Sequence, residues 1–237
     1  MGSTTMLRLL EHYVSTQGEG PNVGKLTQFV RFAGCNLKCP GWPCDTPYAI
    51  EPELYRAEQQ AYTPGALATK IHQVWSDTGA RNVCFTGGEP LIQPQSDLVD
   101  LTNILNNING LIDCEFFTNG TRDIWPSLAR RATFVMDWKL PGSGEDYANK
   151  TRFENLKLID RSIDSIKFVI AQAEDLTVAH TLYRRHLLNH KAEVYVGAAW
   201  KLYSTPNIVE YVKENYLPWR LNVQVHNYIY GEQKRGT

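Results

Sequence analysis

The sequence predicts an α/β chain, an incomplete parallel barrel of β/α units. Short apolar runs that read as strands alternate with longer runs at helical spacing. Polar, glycine-bearing loops follow the C-terminal ends of those strands, where folds of this kind carry their chemistry. Some connections are too thin for a full helix, notably between the third and fourth expected strands, so the barrel is not expected to close. Strands joined through helices run parallel with right-handed crossovers. At 237 residues, 43% of them hydrophobic, the chain buries a sizeable core most simply as one domain over residues 1–237.

Met1 to Thr5 are mostly small and polar, precede a second methionine and read as an appended remnant or a frayed end. Leu7 to Gly20 reads as a short apolar segment followed by a polar, glycine-flanked loop. Leu26 to Phe32 alternates loosely, as a first strand running straight into a cysteine-rich loop. Thr63 and Pro64 give an N-cap and a first helical residue, with Leu67, Ile71, Val74 and Trp75 on one face and the stop near Gly79. Asn82 to Thr86 is a second strand leading into Gly87-Gly88-Glu89-Pro90, and Ser96 to Ile108 a helix with Leu98, Leu101, Leu105 and Ile108 at helical spacing. Cys114 to Thr118 and Thr133 to Asp137 read as the third and fourth strands, ending at Asn119-Gly120-Thr121 and Trp138-Lys139-Leu140-Pro141. Gly142 to Asp146 is a loop, Phe153 to Ile163 contains a short helix, and Ser165 to Ile170 is a fifth strand. A helix from about Glu174 to Leu188 precedes the sixth strand, Glu193 to Ala199. Thr205-Pro206 caps a helix turning Val209, Val212 and Tyr216 inward, and Leu221 to His226 alternates as a last strand.

The formal net charge of −1 gives no global attraction to nucleic acid or anionic membrane, and no apolar run approaches the roughly 20 residues of a membrane span. The N-terminus lacks a secretion signal, and three of five cysteines crowd together, as in a reducing compartment. The expectation is a cytoplasmic protein, in which the glycosylation-like matches at Asn119 and Asn149 are chance.

Those three cysteines, Cys35, Cys39 and Cys44, share the loop Gly34 to Thr46, where Gly34, Pro40, Gly41 and Pro43 supply turns. A structural zinc site closes its tetrahedron with a fourth Cys or His, and the nearest candidates, His12 and His72, belong to other segments. Three thiolates with an open position suit a working centre instead. An iron–sulfur cluster held this way leaves one iron for an exogenous ligand at a low potential.

Val30-Arg31-Phe32-Ala33-Gly34-Cys35 before the loop and Gly87-Gly88-Glu89-Pro90 after it resemble the radical S-adenosylmethionine superfamily. Its usual spacing is C-x(3)-C-x(2)-C, whereas this chain has C-x(3)-C-x(4)-C, a second gap two residues longer. Four local features narrow the resemblance to the 7-carboxy-7-deazaguanine synthase family: Thr16-Gln17-Gly18-Glu19-Gly20, Arg31 four residues before Cys35, Asp45-Thr46 after the last cysteine, and a short tail with His226. That resemblance runs from about Ser15 to the C-terminus. It implies a partial barrel that converts 6-carboxy-5,6,7,8-tetrahydropterin to 7-carboxy-7-deazaguanine with loss of ammonia, on the way to deazapurine nucleosides such as queuosine. It further implies S-adenosylmethionine, a 4Fe–4S cluster and Mg²⁺, a flavodoxin-like electron donor and a homodimer.

Residue by residue, the resemblance assigns the cluster to Cys35, Cys39 and Cys44 and Mg²⁺ to Thr46, a lone hard oxygen that a largely hydrated Mg²⁺ accepts. The pterin edge falls to Thr16, Gln17, Gly18 and Glu19, whose donors and acceptors suit it. Arg31 offers a planar fork for the substrate carboxylate. Thr86, His226 and the terminal residue Thr237 complete the substrate contacts. The methionyl end of the cofactor falls to Gly87, Gly88 and Glu89, with Glu89 on its ammonium, and Asp45, Thr118, Asn119, Asp137, Trp138 and Lys139 complete the cofactor site. Gly197 to Trp200 is placed to close around adenine. Cys84, Cys114, His72 and His180 read as structural residues of the strands and helices. Two rivals stand beside this reading. A glycyl-radical or ribonucleotide-reductase activating enzyme would need neither the Gln17 to Glu19 loop nor Mg²⁺ at Thr46, and a non-catalytic zinc-binding adaptor would hold no iron.

Overall fold

A computed structural model describes residues 6–42, 44–108, 112–145, 150–231 and 235–236. The described strands form one nine-stranded sheet in the order β3-β1-β2-β4-β5-β6-β7-β8-β9. They are β1 (Leu7–Thr16), β2 (Leu26–Phe32), β3 (Gln60–Tyr62), β4 (Asn82–Gly87), β5 (Asp113–Thr118), β6 (Thr133–Trp138), β7 (Ser165–Ile170), β8 (Glu193–Ala198) and β9 (Arg220–Leu221). From β2 to β9 every neighbouring pair is parallel, while β1 is antiparallel to both β2 and β3. The sheet ends at β3 and β9 and does not close, as the thin connections imply.

The helices are α1 (Pro47–Ile50), α2 (Pro52–Tyr55), α3 (Pro64–Thr78), α4 (Gln95–Asn107), α5 (Pro126–Ala129), α6 (Lys150–Leu156), α7 (Ala173–Leu182), α8 (Thr205–Glu214) and α9 (Val225–Tyr230). The crossover between β5 and β6 holds only the single turn α5, the thinness expected there. Thr63 caps α3 by accepting from Ala66 N, and Gly79 ends it at φ 75°, a left-handed conformation glycine adopts without a Cβ clash. Among the described residues no helix is long and apolar enough to cross a membrane.

Alternation along the strands divides the sheet into two faces. On the helix side Phe32, Phe85, Phe116 and Phe134 stack in a row across four strands, with successive centroids 6.0, 4.8 and 5.3 Å apart. All four rings are fully buried. Leu67 and Ile71 of α3 and Leu98, Leu101 and Leu105 of α4 join them in the core. On the opposite, concave face the same four strands present Arg31, Thr86, Phe117 and Asp137 to a cavity, and β7 adds Lys167.

The structure corrects several expectations. Leu7–Thr16 is a full strand, hidden because its register shifts between Leu9 and Glu11 and a bulge breaks the period of two. The last strand is shorter than expected, because pairing with β8 stops at Leu221 and residues from Val225 form α9. There the backbone turns to the loop after β1, Val225 N donating to Gly18 O at 3.1 Å. His226 therefore sits on a helix and does not end a strand. The helix expected over Phe153 to Ile163 is α6, which starts and stops earlier, and the long helix expected to Leu188 changes to a π turn at Tyr183–Leu187. Tyr216 lies beyond α8 at φ 51° and is 93% exposed, while Ile208 fills the inward position.

Phe116 sits between two rings of the aromatic row. We expect Phe116→Ala to cost about 3–5 kcal/mol, measured by urea unfolding of the full chain.

Candidate active site

The concave face and the loops at its C-terminal edge enclose a cavity of about 380 Å³. Its wall includes Thr16, Gln17, Gly18, Glu19, Arg31, Cys35, Cys39, Cys44, Asp45, Thr46, Thr86, Gly87, Gly88, Thr118, Asn119, Asp137, Lys139 and His226. Of the residues that the resemblance assigns to the site, Glu89 and Trp138 do not line the cavity, and of the Gly197 to Trp200 stretch only Ala199 and Trp200 do. The Glu89 carboxylate is fully buried and accepts from Thr118 Oγ1 (2.7 Å), Asn119 N (2.7 Å) and Leu91 N (3.0 Å), so it ties β4 to β5 from behind the wall. Trp138 is in the core, edge-on to Phe153 at 4.9 Å. Thr237 lies outside the described residues.

The cysteine loop leaves β2 and returns through α1. Its entry is packed against the turn after β4: Glu89 N donates to Gly34 O at 2.8 Å. A Cβ on Gly88 would stand 2.1 Å from Gly34 O, and one on Gly87, at φ 140°, 2.1 Å from Phe32 O. Only glycine permits that approach. Leu37 N and the Asn119 amide point at Cys35 Sγ (3.4 and 3.9 Å), and Thr46 N points at Cys44 Sγ (3.5 Å), donors suited to a thiolate. Burial pushes the free thiol of Cys35 up to about 11 and that of Cys39 up to about 12, so ligation must displace their protons. Thr46 occupies the N-cap position of α1 yet makes no capping bond with its side chain, and its hydroxyl lies 3.7 Å from Cys44 Sγ on the cavity wall.

Do these residues fit a cluster? All three thiols open on one wall. Among the described residues no three Cys, His, Asp or Glu side chains converge as a single ion requires. A cubane takes one thiolate on each of three separate irons and needs no such convergence, so the donor set fits the cluster better than a zinc ion.

The polar wall is an ordered run of charges. Lys167 Nζ lies 2.9 Å from Glu19 Oε2 and 3.5 Å from Asp137 Oδ2, and Lys139 Nζ lies 3.0 Å from Asp137 Oδ2. Burial works to raise the carboxyl groups of Glu19 and Asp137, but the lysines prevail and hold both below the usual carboxylate range. Asp45, on the exposed rim of the cavity wall, is pushed up instead, by partial desolvation and by the neighbouring Glu19. Gln17 Nε2 donates to Glu115 Oε1 at 2.6 Å, a carboxylate that also accepts from Asn22 and Asn82. A Cβ on Gly18 would meet His226 Nδ1 at 2.4 Å, so the glycine lets α9 close over the loop. Arg31 is paired with Glu11 (2.9 Å) and donates to Tyr13 (3.1 Å) at the cavity edge.

Lys167, Glu11, Tyr13, Glu115 and Tyr48, which lines the cavity and donates its hydroxyl to Glu11 Oε2 at 3.0 Å, escaped sequence reading. Lys167 and Glu115 carried a signal, a charge in the interior of a strand among apolar neighbours, which is seldom buried without a partner. Glu11 and Tyr13 sit on the strand that the bulge concealed. Cys84 and Cys114 are buried as expected, although Cys84 also reaches the cavity wall.

An open, parallel-dominated β/α sheet that carries a three-cysteine loop and a glycine turn at one cavity defines a radical S-adenosylmethionine enzyme. No protein-family model matches the chain. It is 34% identical over 233 residues to a 7-carboxy-7-deazaguanine synthase of Clostridium acetobutylicum, covering 97% of this chain and 99% of that one. It is 33% identical over 227 residues to one of Methanospirillum hungatei, covering 94% and 85%. The fold matches the crystal structure of QueE from Escherichia coli with a TM-score of 0.72 at 23% identity, over 92% of this chain and 94% of that one. The chain belongs to the 7-carboxy-7-deazaguanine synthase family.

Lys167 holds two largely buried carboxylates, so Lys167→Met leaves Glu19 without its cation and Asp137 with Lys139 alone. The expected loss is about 3–5 kcal/mol near pH 7. Both carboxyls are depressed in the fold, so the stabilisation is complete above the ordinary range near ~4 and fades as pH falls through the folded values. Urea unfolding of both proteins across that range should show the difference shrinking in acid.

Proposed function

We propose that this chain makes 7-carboxy-7-deazaguanine from 6-carboxy-5,6,7,8-tetrahydropterin with loss of ammonia. One observation carries the reading: a single cavity joins the cysteine loop, the turn after β4 and the Thr16 to Glu19 loop, the three parts that cluster, cofactor and pterin each require. When bound, the cluster and S-adenosylmethionine supply the one-electron reduction and the hydrogen-atom abstraction that start the reaction. Cys35, Cys39 and Cys44 would hold the cluster, with the backbone of Gly87 and Gly88 beside the cofactor's methionyl end.

The chain's own residues do the rest of the work. Gln17, anchored through its amide nitrogen on Glu115, and Glu19, kept ionised by Lys167, face the pterin edge as acceptors for its N–H groups. Arg31 presents its fork to the substrate carboxylate, oriented by Glu11 and Tyr13. His226 and Gly18 close the far side of the ring, and Phe117 supplies apolar wall and helps exclude water. Mg²⁺ belongs at Thr46, whose hydroxyl makes no capping bond and faces the same space. The reading also includes a flavodoxin-type donor, a homodimer and a cytoplasmic setting, with the product passed to deazapurine nucleoside synthesis.

Anaerobic turnover of the reconstituted protein with the carboxypterin should yield the deazaguanine acid and 5′-deoxyadenosine together. Release of the nucleoside with no deazaguanine product would refute the substrate assignment. We expect Thr46→Ala to lower kcat by at least about tenfold, the scale of losing one metal-anchoring group, with iron content unchanged and Mg²⁺ dependence abolished.

A further inference from the structure

The stretch between Cys39 and Cys44 is two residues longer than the usual spacing, and a second loop grips it from outside. Glu145, beyond the end of β6, plays no part in the reaction derived above. Its Oε1 accepts from Lys38 N at 2.6 Å and from Cys39 N at 2.8 Å. Both donors are main-chain amides, and a carboxylate oxygen receiving two of them forms charge-assisted bonds. Cys39 itself sits at φ 45°, the left-handed region that non-glycine residues seldom adopt without support.

The grip is not a single contact. Gly41 N donates to Ser143 O at 3.0 Å, and a Cβ on Gly41 would lie 1.9 Å from Gly142 O, so the two backbones touch. Ser143 Oγ in turn donates to Leu140 O (2.7 Å) and accepts from Glu145 N (3.1 Å). Gly142 N donates to Asp175 Oδ1 (2.7 Å), the side chain that also accepts from Ala171 N and Gln172 N at the start of α7. A rigid path thus runs from the α7 N-terminus through residues 140–145 to the middle cysteine.

We propose that Glu145 is a positioning residue for the metal loop: its carboxylate clamps the Lys38–Cys39 turn and so holds the Cys39 thiol where the cluster takes it. The inference rests on the reading that this loop binds an iron–sulfur cluster. Because Lys38 N and Cys39 N are already taken, the clamp also keeps them from bonding to sulfur.

The test uses the full chain, Glu145→Ala and Glu145→Gln, reconstituted anaerobically with iron and sulfide. Iron and sulfide per chain and the rate of iron loss to bathophenanthroline are measured, with no turnover required. The alanine variant should lose iron at least about tenfold faster than the parent, on the scale of two charge-assisted bonds removed. The glutamine variant keeps an oxygen that accepts both amides and should stay within about threefold. Hydrogen exchange of the iron-free proteins gives a separate reading: the Lys38 and Cys39 amides should exchange faster in the alanine variant only. Iron loss from the alanine variant at the parent rate, equal loss from both variants, or unchanged exchange at these amides would overturn the clamp. A parent protein that takes up no iron would instead overturn the cluster reading, and the exchange arm would still decide the role of Glu145.

Discussion

Everything in the site follows from two stretches of main chain that touch. The turn after β4 lies so close to the segment entering the cysteine loop that Gly88 has no room for a Cβ against Gly34 O, and Glu89 N bonds that same oxygen. Parallel pairing of β2 with β4 brings the two strand ends side by side, Phe32 opposite Gly87. The fold therefore sets the distance between the cysteine loop and the glycine turn through backbone, which no side-chain rotation can alter. Glu89 reinforces it from behind by bonding to the next strand end at Thr118 and Asn119.

Charge is placed with equal economy. The concave face buries Glu115 and Lys167 and half-buries Glu19, Asp137 and Lys139 beside them, and in isolation each would be costly to remove from water. They are tolerable because each bonded carboxylate meets a cation or several N–H donors. Glu19 and Asp137 have Lys167 between them, and Glu115 has three amide donors. The outcome is a wall whose acceptors are fixed before any substrate arrives, the condition for recognising a flat, polar heterocycle.

Much of this was readable in the chain, for physical reasons. The parallel strands announced themselves because each is an apolar run followed at once by a functional loop, as at Phe32, Gly87 and Thr118. The cysteine loop and the glycine turn were legible as neighbours at one cavity because three crowded cysteines and paired glycines are unusual, and close backbone approach restricts residue type. Glu89 and Trp138 misled because a motif names residues without saying which way they point, and here one braces two strands and the other packs in the core. The first strand stayed hidden behind its bulge. The segment after Leu221 alternates over too few residues for periodicity to tell a strand from the short helix α9. Lys167, central to the wall, was the clearest missed signal: a lone ammonium buried in Ser165–Ile170 had to find anions, and it found two.

The gap between β3 and β9 has a meaning of its own. A closed barrel would commit every stave to holding the others, so that altering the substrate would mean altering the frame. Here the loop after β1 is met at Gly18 by α9, a single short helix whose His226 rests on that glycine, far in sequence from the cysteines. An enzyme built this way keeps one wall of its cavity on a separate piece of chain, so that wall can change without disturbing the strand ends that carry the cysteine loop.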